Sequence, residues 1–322
     1  MMLKMQLFVK HLAMYTHIVF ICVTFLMGVS CSKEETIIDD RSTPYSDWEH
    51  TEDIYVASYG QLKFQHQSVA VFGDYAFFIA SGRGRICLYN LSKKKALYVL
   101  EMKSENALIY HCNQSCFGVA KYESSDVFPL LYVSQRAKSQ ARCFVEVFRI
   151  IPFWDQSISD FSSFRLELVQ TILFPEMSYE NSLGNVNCSI DTSRELLYTY
   201  SRNNNSLEDN YGICKVSQFN IPSIAETVVT LSDKDIKHSF MLDCNAINMQ
   251  GGCIRDDILY IGQGYNAVGY IYINVIDLIK QKLVRRFDLR QYGIYWEPEG
   301  CFFYSGEVFL SHSEGISRIL KR

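Results

Sequence analysis

The sequence predicts an all-β protein, a β-propeller of four-stranded antiparallel blades, with five blades favoured and six or seven as the alternative. A phrase of one polar residue followed by apolar strands returns five times in the 322 residues. Its copies start 47, 73, 63 and 49 positions apart, close to the roughly 40–50 residues of a propeller repeat. Aromatic residues make up 14% of the chain, which suits a strand-rich protein. The five starting residues are Gln67, Gln114, Asn187, Gln250 and Glu299.

Each copy contains the strands of one blade. Two apolar strands come first, as at residues 67–71 and 75–81, with the turn residues Gly73 and Asp74 between them. A third strand follows in every copy, at residues 84–91, 143–150, 212–221, 269–278 and 315–320. A fourth strand follows in four copies, at residues 96–101, 165–172, 226–231 and 282–287.

The fifth copy has no fourth strand before Arg322, whereas residues 53–58 form a strand with no copy of its own. We therefore expect this N-terminal strand to complete the last blade and close the ring, which removes exposed strand edges. The two long spacings are assigned to loop insertions at residues 152–163 and 203–210. The aromatic pair of Phe153 and Trp154 lies in the first insertion. Exposed, this pair would suit partner binding; folding back over the blade is the alternative.

The N-terminus has the pattern of a secretory signal. Lys4 and Lys10 precede an apolar run at residues 12–27, and small residues then lead to Cys31. An ordinary signal peptide or a short membrane anchor is the alternative, although the run is short for a spanning helix. We expect residues 1–31 to be the signal, residues 32–50 a flexible polar tether, and residues 51–322 a single propeller domain.

The segment around Cys31 resembles the lipobox of bacterial lipoproteins, in which this Cys is lipidated, for example with palmitate, and becomes the mature N-terminus. Gly28 stands where the lipobox usually has Leu. Residues 32–35 resemble the export signal of surface lipoproteins of Bacteroidetes. The repeat over residues 51–322 is similar to lipoprotein propellers of that group, including TolB-like ones, and to the wider WD40 and YncE-like superfamily. The resemblance implies an outer-membrane protein that is lipid-anchored at Cys31 and exposed at the cell surface.

Charge and cysteine content limit the partners and cofactors. The chain has 31 basic and 35 acidic residues and a net charge of -4, which leaves no electrostatic footprint for nucleic acid. Nine Cys follow Cys31; an odd number cannot all pair, and most are interpreted as small buried hydrophobes. Their redox state stays open. No cysteine spacing indicates a structural metal, and the three histidines considered for a metal occupy different repeat offsets: His66, His111 and His312.

The five starting residues of the repeat are the first candidate site. They begin the innermost strand of each blade, so they should line one mouth of the central channel. Their amides and carboxylate would bind a sugar, a peptide or a cation there. The alternative is that they hydrogen-bond neighbouring blades and ordered water, as buried polar groups must.

The second candidate lies within the first, at Trp296, Glu297 and Glu299. Side chains that are two positions apart on a strand point to the same face of the sheet. The two carboxylates would act as an acid–base pair, or ligate calcium with amide oxygens, while Trp296 would stack on a sugar or cap the core. Against catalysis, this spacing does not set the separation that glycosidases use.

The sequence thus favours a cell-envelope binding or scaffolding module for a glycan, peptide or protein partner. A hydrolase or lyase using Glu297 and Glu299 is the alternative. No cofactor is expected, with calcium as the exception considered.

Overall fold

The computed structural model describes residues 52–54, 66–80, 85–101, 109–137, 143–157, 159–174, 186–202, 214–242, 249–265, 270–312 and 315–318. All of them belong to one compact unit, residues 39–322. The predicted signal and tether, with Cys31, lie outside the described residues. Within the described ranges, no helix has the length and hydropathy needed to cross a bilayer.

The described chain consists of β-strands joined by turns and two short 3₁₀ turns, Asp233–Asp235 and Leu289–Tyr292. The strands are β1 (Glu52–Ile54), β2 (His66–Phe72), β3 (Tyr75–Ala80), β4 (Arg85–Asn90), β5 (Lys95–Glu101), β6 (Ile109–Phe117), β7 (Leu131–Ala137), β8 (Cys143–Asp155), β9 (Asp160–Phe174), β10 (Asn187–Asp191), β11 (Leu196–Arg202), β12 (Cys214–Asn220), β13 (Val228–Thr230), β14 (His238–Leu242), β15 (Met249–Arg255), β16 (Ile258–Tyr265), β17 (Tyr270–Asp277), β18 (Lys282–Asp288), β19 (Pro298–Tyr304), β20 (Glu307–His312) and β21 (Gly315–Arg318).

These strands form five sheets, numbered here in chain order. The first sheet is β2-β3-β4-β5, the third is β10-β11-β12-β14, and the fourth is β15-β16-β17-β18. The second sheet is β6-β7-β8-β9 with β13 added outside β9, and the fifth is β19-β20-β21-β1. The prediction of an all-β propeller with antiparallel four-stranded blades is confirmed. Five sheets of four strands each were expected. Among the described residues four sheets have four strands, and the second sheet has five because β13 is added to it.

The N-terminal strand β1 joins the fifth sheet. It pairs antiparallel with β21, and Asp53 lies opposite Ser317. The first strand of the described chain therefore shares a sheet with its last three strands.

The assignment of residues 226–231 to the fourth strand of the third copy is wrong. The strand in this stretch, β13, pairs parallel with β9 of the second sheet, and Val229 lies opposite Ile172. Strand β14 takes the outer position of the third sheet instead, with His238 opposite Gln218. Leu231 is buried in the core between the second and third sheets. A short apolar run does not specify which sheet edge it pairs with, because either edge offers the same backbone groups.

The assignment of residues 152–163 to a loop insertion is also wrong. Strand β8 continues to Asp155 and β9 begins at Asp160, so the two strands form a long hairpin. Pro152 fits this strand because β8 pairs with β7 only as far as Phe148, and beyond that point one side of β8 has no strand partner. Trp154 is 54% exposed and packs edge-on against Phe161, with ring centroids 5.2 Å apart. The other proposed insertion, residues 203–210, lies outside the described residues.

The hydrophobic core lies between consecutive sheets. Phe77 and Phe148 belong to the cluster between the first and second sheets, and Val69 and Phe302 to the cluster between the first and fifth. Three further clusters join the second to the third, the third to the fourth, and the fourth to the fifth sheet. Because each sheet packs on both faces, strands such as β3 are apolar without alternation, as in the wholly buried run Ala76–Ala80.

Candidate functional site

The first strand of each sheet faces a shared centre, and these five strands (β2, β6, β10, β15 and β19) are called the inner strands below. Residues from all five line one cavity. The carboxylate end is where these strands begin, and is defined by Gln67, Gln250, Glu297 and Glu299. The central cavity lies toward the ends of the same strands.

Two amide–carboxylate hydrogen bonds organise the carboxylate end. Gln67 of the first sheet donates from Nε2 to Glu299 Oε2 at 2.9 Å. Gln250 of the fourth sheet donates from Nε2 to Glu297 Oε1, also at 2.9 Å. Glu297 precedes β19 and Glu299 lies within it, and their carboxyl groups are thus held by amides from two different sheets.

Local irregularities in the inner strands position these side chains. The pairing register shifts between His66 and Ser68 and between Pro298 and Gly300, so Gln67 and Glu299 occupy the bulged positions. A further shift follows Met249, next to Gln250. A bulge places an extra residue outside the ladder and redirects its side chain. The described pairing of β10 with β11 has no such shift.

Burial changes the acidity of both carboxyl groups. Glu299 is 3% exposed, and its burial, followed by the nearby Glu297 charge, raises its pKa well above the ordinary value. Burial also raises the pKa of Glu297, which is half-buried. Protonation of one carboxyl removes repulsion between the two, and an acid–base pair requires such unequal carboxyls.

An aromatic surface adjoins the carboxylate end. Trp296 is 41% exposed and stacks on the buried His312, with ring centroids 6.3 Å apart and an interplanar angle of 12°. The preceding Tyr295 is exposed as well. One face of Trp296 is thereby fixed on the protein, beside Glu297.

Gln114 and Asn187 serve the interior instead. Gln114 is 2% exposed, and its Nε2 donates to the Gly252 carbonyl oxygen while the Gly252 N–H donates to its Oε1. Asn187 donates from Nδ2 to the backbone oxygen of Gln250 at 3.1 Å. The structure thus brings Gln67, Gln250 and Glu299 to one end, with Asn187 bonded beneath Gln250 and Gln114 turned to the centre.

The histidines considered as metal ligands have different surroundings. His66 is buried edge-on to Phe78, with ring centroids 5.0 Å apart. His312 lies under Trp296, and the side chain of His111 is outside the described residues. In the part of the chain that the structure describes, no three His, Cys, Asp or Glu side chains are grouped so that they could hold a metal ion.

The central cavity has a volume of about 370 Å³. Its wall includes apolar residues such as Val71 and Phe303 and three thiols, Cys116, Cys253 and Cys301. Each thiol lies on the first strand of its sheet and opposite a residue of the second: Cys116 opposite Tyr132, Cys253 opposite Tyr260 and Cys301 opposite Leu310.

The thiols of the cavity wall are protonated. Burial raises the pKa of Cys301 to about 12 and that of Cys253 well above its usual value. Contact with the Cys188 thiol and then burial raise the pKa of Cys116. The interpretation of these cysteines as buried hydrophobes agrees with their packing, but they also border a cavity.

Charged residues stand at the rim of the cavity, and sequence reasoning missed them. Arg255 ends β15, with its guanidinium carbon 5.1 Å from the centroid of the Phe303 ring. Asp256 follows it, and Asp191 ends β10. Their signal in the sequence was a difference between the copies. The inner strand ends on a charged residue in the third and fourth copies, and on an aromatic residue in the other three: Phe72, Phe117 and Tyr304.

Comparison with known proteins supports no narrower class than the propeller fold. No protein-family model matches the chain, and no curated protein is similar to it in sequence. The chain resembles the crystal structure of Myxococcus xanthus glutaminyl cyclase with a TM-score of 0.45 and 10% identity, over 85% of this chain and 97% of that one. It resembles the β-propeller domain of Myceliophthora thermophila Cps50 (Swd1) with a TM-score of 0.40 and 10% identity, over 80% and 84% of the two chains.

A third similar structure is that of apo AztD from Citrobacter koseri, with a TM-score of 0.30 and 14% identity, over 70% of this chain and 47% of that one. These neighbours are β-propeller proteins. The arrangement of sheets places this protein in the same fold class, and likeness at this level carries no information about activity.

Proposed function

We propose that this protein is a cell-envelope binding or scaffolding module whose β-propeller receives a glycan, peptide or protein partner. The observation that carries the proposal is the central cavity of about 370 Å³, to which all five inner strands contribute. Its volume falls at the lower end of the roughly 300–1,000 Å³ of ligand pockets. All five polar starting residues of the repeat are meanwhile engaged in hydrogen bonds between sheets.

We also propose that the five sheets are the blades of one closed ring. Three contacts between the fifth and first sheets support this: the Gln67–Glu299 hydrogen bond, the shared cluster with Val69 and Phe302, and a hydrogen bond of 3.0 Å from Tyr304 Oη to Asp74 Oδ1. The pairing of β1 with β21 would then act as the clasp of the ring.

The anchoring of this module is proposed from the N-terminal motif. Lipidation of Cys31 would tether the propeller to the outer membrane through residues 32–50, on the outer surface of the cell. The acidic residues that follow Cys31 support this location.

A hydrolase or lyase is the second candidate function, and one observation favours it. The two carboxyl groups at the carboxylate end both have raised pKa values, and the exposed face of Trp296 lies beside them. Glu299 would stay protonated as the acid while Glu297, which is less buried, would act as the base. In the structure each carboxyl accepts a hydrogen bond from an amide of another sheet, which favours a structural role.

The test is a binding screen of the full-length protein in detergent micelles against glycan and peptide arrays. Two variants separate the sites: Trp296→Ala alters the carboxylate end and Arg255→Gln alters the cavity rim. We expect binding that Arg255→Gln weakens and Trp296→Ala leaves intact. Cleavage of an arrayed compound that Glu299→Gln abolishes would support the enzyme instead, and the absence of binding to both arrays would refute the binding module.

A further inference from the structure

The central cavity combines an uncharged wall with a charged rim of one cation, Arg255, and two carboxylates, Asp191 and Asp256. Its thiols, Cys116, Cys253 and Cys301, are protonated for the reasons given above and therefore uncharged. Phe302, Phe303 and Val71 add apolar surface. Arg255 is the one cationic side chain among the described residues that line the cavity.

The hairpin after β15 fixes the position of Arg255. Arg255 pairs with Ile258, and the two residues between them, Asp256 and Asp257, both have positive φ, 50° and 64°. A turn of this kind favours glycine or asparagine, and the matching turn of the fifth sheet does contain Gly306. Aspartate tolerates this conformation better than most residues do, so the tight turn holds the end of β15, and Arg255 with it, without a glycine.

The carboxylates near Arg255 leave its charge only weakly compensated. Asp191 uses Oδ1 in its own turn, where it accepts hydrogen bonds from the N–H and Oγ of Ser193 and from the N–H of Arg194. Asp256 Oδ2 lies 3.5 Å from Arg255 Nε, but its side chain is 69% exposed. Exposed ion pairs contribute little, so a ligand carboxylate can compete for the guanidinium.

We propose that the central cavity binds the α-carboxylate of an amino acid or peptide C-terminus that carries an apolar side chain. This inference rests on the proposed binding function. The Arg255 fork pairs with the two carboxylate oxygens, on the ring of Phe303 that already holds the guanidinium. The side chain then packs among Cys253, Cys301 and the apolar wall, and a volume of about 370 Å³ limits the buried part to one or two residues.

The experiment measures binding of small probes to the full-length protein in detergent micelles by ligand-observed NMR and calorimetry. N-acetyl-phenylalanine is compared with N-acetyl-phenylalaninamide, which lacks the carboxylate, and with N-acetyl-glycine, which lacks the side chain. Free phenylalanine and the peptide Ala-Ala-Ala-Phe distinguish an amino acid from a chain terminus. The variant is Arg255→Gln. Its matched control is Arg285→Gln, because Arg285 lies over the Phe287 ring at 4.2 Å but does not line the cavity.

We expect N-acetyl-phenylalanine to bind at least tenfold more tightly than its amide or the glycine compound. Arg255→Gln should remove this preference, and Arg285→Gln should retain it. Equal binding of acid and amide, or an unchanged preference in Arg255→Gln, overturns the inference but leaves a binding module in place. If no probe binds, this ligand class is wrong. The glycan and peptide arrays then decide separately whether the binding function itself stands.

Discussion

Gln114 and Gly252 form a two-way hydrogen bond between sheets that share no core cluster. Gln114 Nε2 donates to the Gly252 carbonyl oxygen at 2.5 Å, and the Gly252 N–H donates to Gln114 Oε1 at 3.1 Å. The third sheet lies between their own sheets in chain order, and its Ser189 Oγ donates to the same carbonyl oxygen at 3.1 Å. The side chain of Gln114 therefore joins the inner strands of the second and fourth sheets, at the level of Ser115 and Ser189 in the cavity lining.

Replacement of Gly251 tests this junction. A Cβ on Gly251 would lie 2.0 Å from Gln114 Oε1 and 2.8 Å from the Glu299 carbonyl oxygen, so we expect Gly251→Ala to lower the free energy of unfolding by about 2 kcal/mol or more. Gln114→Ala should cost about 1–3 kcal/mol, because it leaves the buried Gly252 N–H without its acceptor. Chemical denaturation of both variants gives these values.

The double variant gives the sharper result. Ala at position 114 removes the atom that the Gly251→Ala methyl would meet. The double variant should therefore lose less unfolding free energy than the sum of the losses in the two single variants. Gly300→Ala is the control, because its nearest contacts would be at 3.9 Å. Strict additivity, or an equal cost for Gly300→Ala, would contradict the proposed crowding.

Glu299 makes stability fall as pH rises. Its pKa in the folded protein lies well above the ordinary value, so the folded state binds more protons than the unfolded state between the two pKa values. Stability from this group is complete below about pH 4.3, the unfolded value. It is lost as pH rises toward the folded value. Glu299→Gln resembles the protonated form and should not show this loss.

The measurement is the difference in unfolding free energy between wild type and Glu299→Gln as a function of pH. Titrating groups that do not interact with Glu299 cancel in this difference, including Asp126, Asp160 and Asp277, whose lowered pKa values act in the opposite direction. We expect the variant to gain relative to wild type with increasing pH. A constant difference from pH 4 to pH 9 would be inconsistent with a raised pKa.

Cys301 should react with small thiol reagents faster than Cys87. Burial raises the pKa of both thiols to about 12, so the fraction of reactive thiolate is similar. Only Cys301 of the two lines the central cavity. Peptide mapping after brief treatment with methyl methanethiosulfonate would show the difference, and equal labelling would indicate that the cavity does not admit small molecules.

Cys31→Ser should release the protein from the membrane fraction if Cys31 carries the lipid. A single apolar run of this length anchors a protein weakly without an acyl chain. Fractionation of cells with quantitative blotting is the measurement, with Cys87→Ser as the control for loss of a thiol. Tight membrane association of Cys31→Ser would refute lipid anchoring.

The amino-acid sequence by itself determined most of the strands of this protein and the hairpins that join them. Each copy supplies apolar strands separated by turn residues, so the hairpins such as β2–β3 and β19–β20 follow from local patterning. The repeated polar residues also marked the strand starts where Gln67 and Glu299 meet. These features are local, because strand alternation and turn geometry depend on neighbouring residues.

Only the tertiary structure decided which partners these elements take. Val228–Thr230 could pair with either of two sheet edges, and burial of Leu231 between sheets settles it on β9. The contact of Gln114 with Gly252 spans 138 positions in the sequence, and the cavity assembles Cys116, Cys253 and Cys301 from three copies. Such sites depend on how the sheets pack around their shared centre, and this packing energy comes from residues distant in the chain.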